Sequence, residues 1–355
     1  MAEETNRYDV TAARPRGKPG RETRPAGTTI DIHAHVYSPE AAAFAAPHLD
    51  AGKTPLGRFA APATVSLNRK QESERARTST DMALRLADMD KMGVDIQVVT
   101  PAPPQIYTTL EPALAMQATR IVNDGMAEFA ARKPDRFVPM GAVPLQAGAE
   151  AVDELERCMG ALRFKGVEVL TNVAGRELSE PAFAPFWARA EQLGAVVMIH
   201  PGGFTHAERL GRFYLNNTIG NPLETTIALH YLILDGVLER HPNLKLLAVH
   251  GGGFLGGYSG RIDHAWGARS DAHGDLPQAP STYLKRIWFD SVVFTPLQLD
   301  ALVRTFGAEK IMLGTDYPYD MGEYDPLEHL ETAETLDAAG KAAVAGGNAR
   351  ALFGI

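Results

Sequence analysis

The chain has 355 residues, 45% of them apolar, and a formal net charge of -8. That length and apolar share support a sizeable core, and the acidic balance argues against nucleic acid as the main partner. No apolar run is long enough to cross a bilayer, so a membrane partner is not expected.

Residues 1–27 come first and are polar, with Arg14, Arg16, Lys18, Arg21 and Arg24 among prolines and glycines. This composition predicts a solvated tail, or an arm packed on a neighbouring subunit. The segment lacks the apolar centre of a signal peptide, and the single cysteine, Cys158, excludes an internal disulfide. Both features point to the cytoplasm. Cys158 lies in a helix-like stretch and reads as buried packing.

Residues 28–355 read as one domain. Short β-rich runs occur at Thr28–Val36, Val94–Thr100, Phe137–Val143, Gly166–Thr171, Ala195–His200, Leu244–His250, Ile287–Phe294 and Lys310–Thr315. Helical patterns lie between them, at Asp81–Met92, Glu111–Arg132, Pro181–Leu193 and Pro222–Arg240. Asn221 and Pro222 read as the cap and first turn of the last of these. Alternation of this kind predicts an α/β fold, a parallel (β/α)8 TIM-like barrel. Residues 37–80 are too long for a barrel connection and read as an insertion after strand 1 that covers or shapes the pocket.

The predicted strand ends are unusually polar. Strand one carries His33 and His35, two apart and therefore on one side of a strand. Strand five ends at His200-Pro201, strand six at His250-Gly251-Gly252-Gly253, and strand eight at Thr315-Asp316-Tyr317-Pro318. In such barrels the chemistry sits at the C-terminal ends of the strands. Buried polar groups are costly without partners, and one divalent cation satisfies this set. The predicted ligands are His33, His35, His200 and Asp316, with zinc favoured and manganese, iron or cobalt as alternatives. His250 then remains for acid/base chemistry, with Asp316 able to carry a proton. Lys165 lies at the start of its strand, the wrong end for a metal bridge, and reads as structural. Phe204 and Phe213 follow strand five and are candidate substrate-binding walls.

These motifs, with Gly260-Arg261-Ile262-Asp263-His264-Ala265-Trp266, Trp288-Phe289-Asp290-Ser291 and the lead-in Asp88-Met89-Asp90-Lys91-Met92-Gly93-Val94-Asp95, resemble the amidohydrolase superfamily. The resemblance is to its branch related to aminocarboxymuconate-semialdehyde decarboxylase. It implies one metal on His33, His35, His200 and Asp316, and a catalytic His250. It also implies that Arg261 grips a substrate carboxylate across the interface of a homodimer or higher homo-oligomer. The branch has a second carboxylate-binding arginine in the first long loop. Here Ser66–Arg75 offers no clean counterpart, only Arg69 and Arg75.

The expected activity is metal-dependent nonoxidative decarboxylation of an unsaturated or aromatic (hydroxy)carboxylic acid. The alternative is a metal-dependent hydrolase of a lactone or amide, or a hydratase, using the same metal-bound water. A catalytically silent metal-binding scaffold leaves the acid/base set unexplained.

Overall fold

The computed structural model describes residues 24–355. The expected tail at residues 1–27 therefore lies almost wholly outside the described residues. Arg24 is described, and its guanidinium pairs with Asp95.

The eight predicted strands form the staves of a barrel. They are β1 (Ile30–Val36), β2 (Ile96–Pro101), β3 (Phe137–Pro139) with β4 (Gly141–Ala142), β5 (Gly166–Leu170), β6 (Val196–His200), β7 (Lys245–Ala248), β8 (Trp288–Asp290) and β9 (Ile311–Met312). Neighbours pair in parallel: β1 with β2, β2 with β3, and β4 through β9 in chain order. β3 and β4 are one stave interrupted at Met140, whose N–H still reaches Val99 O at 2.9 Å. The barrel closes where Ile32 N donates to Leu313 O at 2.9 Å and His35 N to Tyr317 O at 2.7 Å.

Two apolar layers hold these staves. Ile30, Ile32, Val98, Met140, Val196, Met198, Leu247, Val249 and Met312 fill the interior, with Leu352 and Phe353 of the C-terminal helix packed against them. The alternate residues, such as Val197, Ile199, Leu246 and Ala248, meet the surrounding helices. Strands buried on both faces are nearly all apolar for this reason. The helices show the complementary one-faced pattern: Ala149–Met159 buries Ala151, Glu154, Leu155 and Cys158, at helical spacing. Cys158 is buried there, and burial pushes its thiol up.

Two predicted helix details differ. The Pro222–Arg240 pattern is two helices, Asn221–Leu234 and Val237–Arg240, broken at Gly236 with φ 73°. Asn221 does not cap the first: its side chain accepts from Gly203 N at 3.0 Å, and a π-turn at Asn216–Gly220 leads into the helix.

Residues 37–80 contain the helices α1 (Pro39–Ala45), α2 (Pro55–Phe59) and α3 (Pro62–Thr80). α3 buries no residue. No described helix is long and apolar enough to cross a membrane.

Candidate active site

The geometry of β1 starts from a register shift. Ile30 and Ile32 face the barrel interior, while Ala34 and Val36 face the helices. Simple alternation would then send His33 and His35 outward. The pairing with β2 shifts between Asp31 and Ala34, and this irregularity restores both imidazoles to the interior. Val249 likewise faces inward, and His250 follows it with φ 53°, a left-handed conformation unusual for a residue with a Cβ. Gly251, Gly252 and Gly253 continue that conformation, with φ 60°, 73° and 69°. A Cβ at Gly252 would lie 2.5 Å from the Phe289 ring, and one at Gly253 2.2 Å from Pro222 O. Glycine is required there because the turn is wedged against its neighbours. Asp316 also has positive φ, 60°, and its N–H is held by His33 O at 2.7 Å.

These local devices bring the predicted cluster together. One donor atom each from His33, His200, His250 and Asp316 lie within 4.8 Å of one another. His35 Nε2 joins them, 3.1 Å from His33 Nε2 and 3.2 Å from Asp316 Oδ1. The outer nitrogens differ. His33 Nδ1 donates to Asp290 at 2.7 Å and His200 Nδ1 to Pro201 O at 2.7 Å. His35 Nδ1 lies 3.2 Å from Pro101 O and 3.0 Å from the Thr100 hydroxyl. His250 Nδ1 is buried without a partner.

Charge follows from this crowding. Burial is the largest influence on every member. It lowers His33, and it takes His200 well below the ordinary value with help from the neighbouring His250, His35 and His33. In His35 and His250 burial is offset by several neighbours together, Asp316 foremost with Glu168 and, for His250, Asp290, and the net effect raises them. Asp316 is held well below the carboxylate range because the imidazoles outweigh its own burial. His200 Nε2 is buried and has no hydrogen-bond partner. A cation at the convergence point satisfies that orphan and screens the imidazoles from each other. The set of imidazoles and one carboxylate fits one divalent metal ion.

The remaining predicted residues lie apart from this cluster. Phe213 is 77% exposed, with the Arg212 guanidinium stacked on its ring, so in the single chain it does not wall the pocket. Phe204 lines a separate polar cavity with Glu177, His206 and Glu224. Arg261 is exposed and lines an apolar cavity of ≈ 570 Å³ with Leu223, Phe254, Tyr258 and Ile262. It forms no ion pair among the described residues, and Asp263 accepts from Ser281 N instead. Arg69 is exposed on α3. Arg75 stacks 4.9 Å from the centroid of Tyr319, whose ring packs edge-on 5.3 Å from His35. Lys165 reaches Gly354 O at 3.2 Å, apart from the His/Asp cluster.

Three buried acids had no assigned role at the sequence level. Asp31 ties β1 to the loop of Asp316, Asp290 supports His33 and the His250 turn, and Glu168 sits 4.0 Å from His35 Nδ1. Glu168 interrupts an otherwise apolar strand, Asp290 ends one and Asp31 sits between two isoleucines, a signal legible without coordinates.

Comparison with known proteins agrees with this fold. The family model described as amidohydrolase matches residues 30–355. A 2-amino-3-carboxymuconate-6-semialdehyde decarboxylase of Dictyostelium discoideum is 34% identical over 276 residues, 78% of this chain and 77% of that protein. The crystal structure of 5-carboxyvanillate decarboxylase from Sphingomonas paucimobilis superposes with a TM-score of 0.82 at 27% identity, covering 92% of this chain and 99% of the other. A 5-carboxyvanillate decarboxylase from Novosphingobium aromaticivorans, complexed with manganese and 4-hydroxy-3-methoxy-5-nitrobenzoic acid, has the same fold: TM-score 0.82, 24% identity, 95% of this chain and 98% of that one. The chain belongs to the amidohydrolase family and is related to its carboxy-lyases.

Proposed function

We propose that this protein is a metal-dependent nonoxidative decarboxylase of an unsaturated or aromatic (hydroxy)carboxylic acid. The observation that carries the reading is the unequal treatment of the four imidazoles. His33, His35 and His200 have their Nδ1 atoms engaged by oxygen atoms, which fixes Nε2 for a metal. His250 has no such partner and stays free to exchange a proton. The ligands are then His33, His35, His200 and Asp316, and His250 is the acid/base residue. Zinc suits these donors, and manganese is the chief competitor.

A bound ion supplies Lewis-acid stabilisation of negative charge on a substrate oxygen. The chain's own residues do the rest. His250, protonated beside Asp316, delivers its proton to the carbon bearing the carboxylate. The carbon–carboxylate bond then breaks, its electron pair returns to the unsaturated skeleton, and carbon dioxide leaves. His250 is left neutral and regains a proton from solvent. Asp316 Oδ2, 3.5 Å from His250 Nε2, favours the protonated imidazole before transfer.

The departing carboxylate and the rest of the substrate need anchors. Arg75 is the guanidinium of the same chain that overlooks the cluster through Tyr319. Arg261 serves the site of a second copy in a homodimer, and its apolar surroundings, with Phe254 and Tyr258 exposed, support that role. Phe204 and Phe213 contribute to binding only if the loop after β6 rearranges around substrate. The test is a panel of hydroxybenzoates, carboxyvanillate and lactones supplied to protein of known metal content. Carbon dioxide release from an aromatic acid is the expected result. Lactone ring opening without carbon dioxide release overturns the reading in favour of a hydrolase.

A further inference from the structure

We infer that Asp290 is the positioning residue that couples the metal site to the proton-transferring histidine, one carboxylate aligning both. The inference rests on the ligand and acid/base roles proposed above for His33 and His250. It goes beyond them because Asp290 lies outside the donor cluster and is fully buried.

The geometry is specific. Asp290 ends β8 and is fully buried. Its Oδ2 accepts from His33 Nδ1 at 2.7 Å and from His250 N at 2.9 Å. Its Oδ1 accepts from Gly251 N at 2.7 Å and Val292 N at 3.2 Å. One oxygen is thus shared between the side chain of a metal ligand and the backbone of the acid/base residue. The acceptor role is forced, since backbone N–H groups only donate, and His33 must therefore carry its proton on Nδ1 and present a bare Nε2 to the ion.

The other half of the relationship concerns the His250 turn. Four successive residues from His250 to Gly253 have positive φ. Two of their N–H groups meet Asp290, while Gly252 N and Gly253 N close the turn on Val249 O and His250 O at 3.1 Å each. A left-handed histidine is held only if its surroundings over-determine it. Packing from Phe289, Val293 and Leu302 walls the turn, and Asp290 supplies its polar anchor. Asp290 therefore sets the direction in which the imidazole of His250 leaves the backbone.

An ordinary structural carboxylate would affect stability alone. A coupling residue moves two separable readouts, so the test is Asp290→Asn. The amide keeps one acceptor oxygen but turns an NH2 group toward N–H donors on the other side. Zinc affinity is measured by chelator competition with the full chain, and kcat is measured at saturating zinc on the best substrate of the panel. His250→Ala and wild type run as controls. Wild type that binds no zinc, or His250→Ala with full activity, marks failure of the functional reading instead.

With the controls as expected, a folded Asp290→Asn should bind zinc about 10–100-fold more weakly, the usual effect of losing an outer partner of a ligand. Its kcat at saturating zinc should also fall by at least about tenfold, as for a displaced acid/base group. Zinc affinity and kcat both within twofold of wild type overturn the proposal. Weak zinc binding with full kcat on saturation overturns the coupling. A second measurement needs no variant. In wild type, hydrogen exchange of the His250 and Gly251 amides should slow when zinc is added to the metal-free protein, more than that of amides in β3. Equal rates with and without zinc also overturn it, so a variant that fails to fold leaves the question decidable.

Discussion

Thr315 donates its hydroxyl to Asp31 at 2.6 Å, and this contact ties the residue before Asp316 to the strand that carries His33 and His35. Asp31 also accepts from Thr315 N at 3.0 Å, from His33 N at 3.0 Å and from Gln97 Nε2 at 2.9 Å. Gln97 in turn accepts from Arg85, a fully buried arginine that also donates to His35 O. The proposed metal donors thus stand on a buried polar scaffold spanning β1, β2 and the loop after β9.

Thr315→Val should test that scaffold. The substitution keeps shape and removes the hydroxyl, leaving one oxygen of Asp31 with a donor fewer. Buried groups left short of a partner cost about 1–3 kcal/mol. The midpoint of urea unfolding should fall accordingly, with a smaller effect on the rate at saturating metal. An unchanged midpoint would show that the contact contributes nothing to holding β1 and β9 together.

The donors themselves make a sharper case. Purified protein should hold about one divalent ion per chain, as a single mononuclear centre implies. His33→Ala and His200→Ala should lower occupancy and abolish turnover, by elemental analysis and activity assay. His250→Ala should keep the ion and lose about 10²–10⁴-fold in rate. Loss of the ion from a folded His250→Ala would exchange the roles of ligand and acid/base residue.

Glu168 gives a pH-dependent expectation. It is fully buried, neither oxygen has a hydrogen-bond partner, and burial raises its carboxyl to about 7 from 4.5. A raised carboxyl favours the folded state below the unfolded value, and that advantage is lost as pH rises through the folded value. In metal-free protein, Glu168→Gln should therefore gain stability relative to wild type as pH climbs from about 4.5 to about 7. The gain should be on the order of 3 kcal/mol, since each unit is about 1.4 kcal/mol. Any fixed cost of the buried amide is the same at every pH, so the slope is the readout. Parallel stability curves for the two proteins across that range would refute it.

Much of this was legible in the chain. The eight staves were visible because parallel strands covered on both faces must be apolar throughout, and the ends bearing His33, His35, His200, His250 and Asp316 stood out against them. The helix α3 was not visible, because it buries no residue and periodicity marks only helices with a buried face. Roles for Asp290 and Asp31 were hidden for a different reason. Their partners lie far along the chain, His33 at 257 residues from Asp290 and Thr315 at 284 from Asp31, and only barrel closure brings them together. Phe213 is a different case: an aromatic residue after strand five suggests a pocket wall, and in the single chain its backbone is left-handed, φ 58°, and its ring is exposed.

The final expectation concerns Arg261 and assembly. Within one chain this guanidinium is exposed beside an apolar cavity and has no acid to pair with among the described residues, while Arg75 is the cation nearer the cluster through Tyr319. If Arg261 acts on the neighbouring copy, Arg261→Ala should raise KM for a carboxylate substrate much more than it alters metal content, because a guanidinium–carboxylate fork is a charge-assisted contact. Inactive His250→Ala subunits mixed with Arg261→Ala subunits, assayed far below the KM of the latter, should then recover activity. In the mixed dimer one site combines an intact His250 with an intact Arg261 from its neighbour, and the other site lacks both. Labelled chains verify that subunits exchange. Confirmed exchange with no recovery would remove the shared site, and a matching rise in KM for Arg75→Ala alone would then assign the carboxylate grip to the chain's own helix α3.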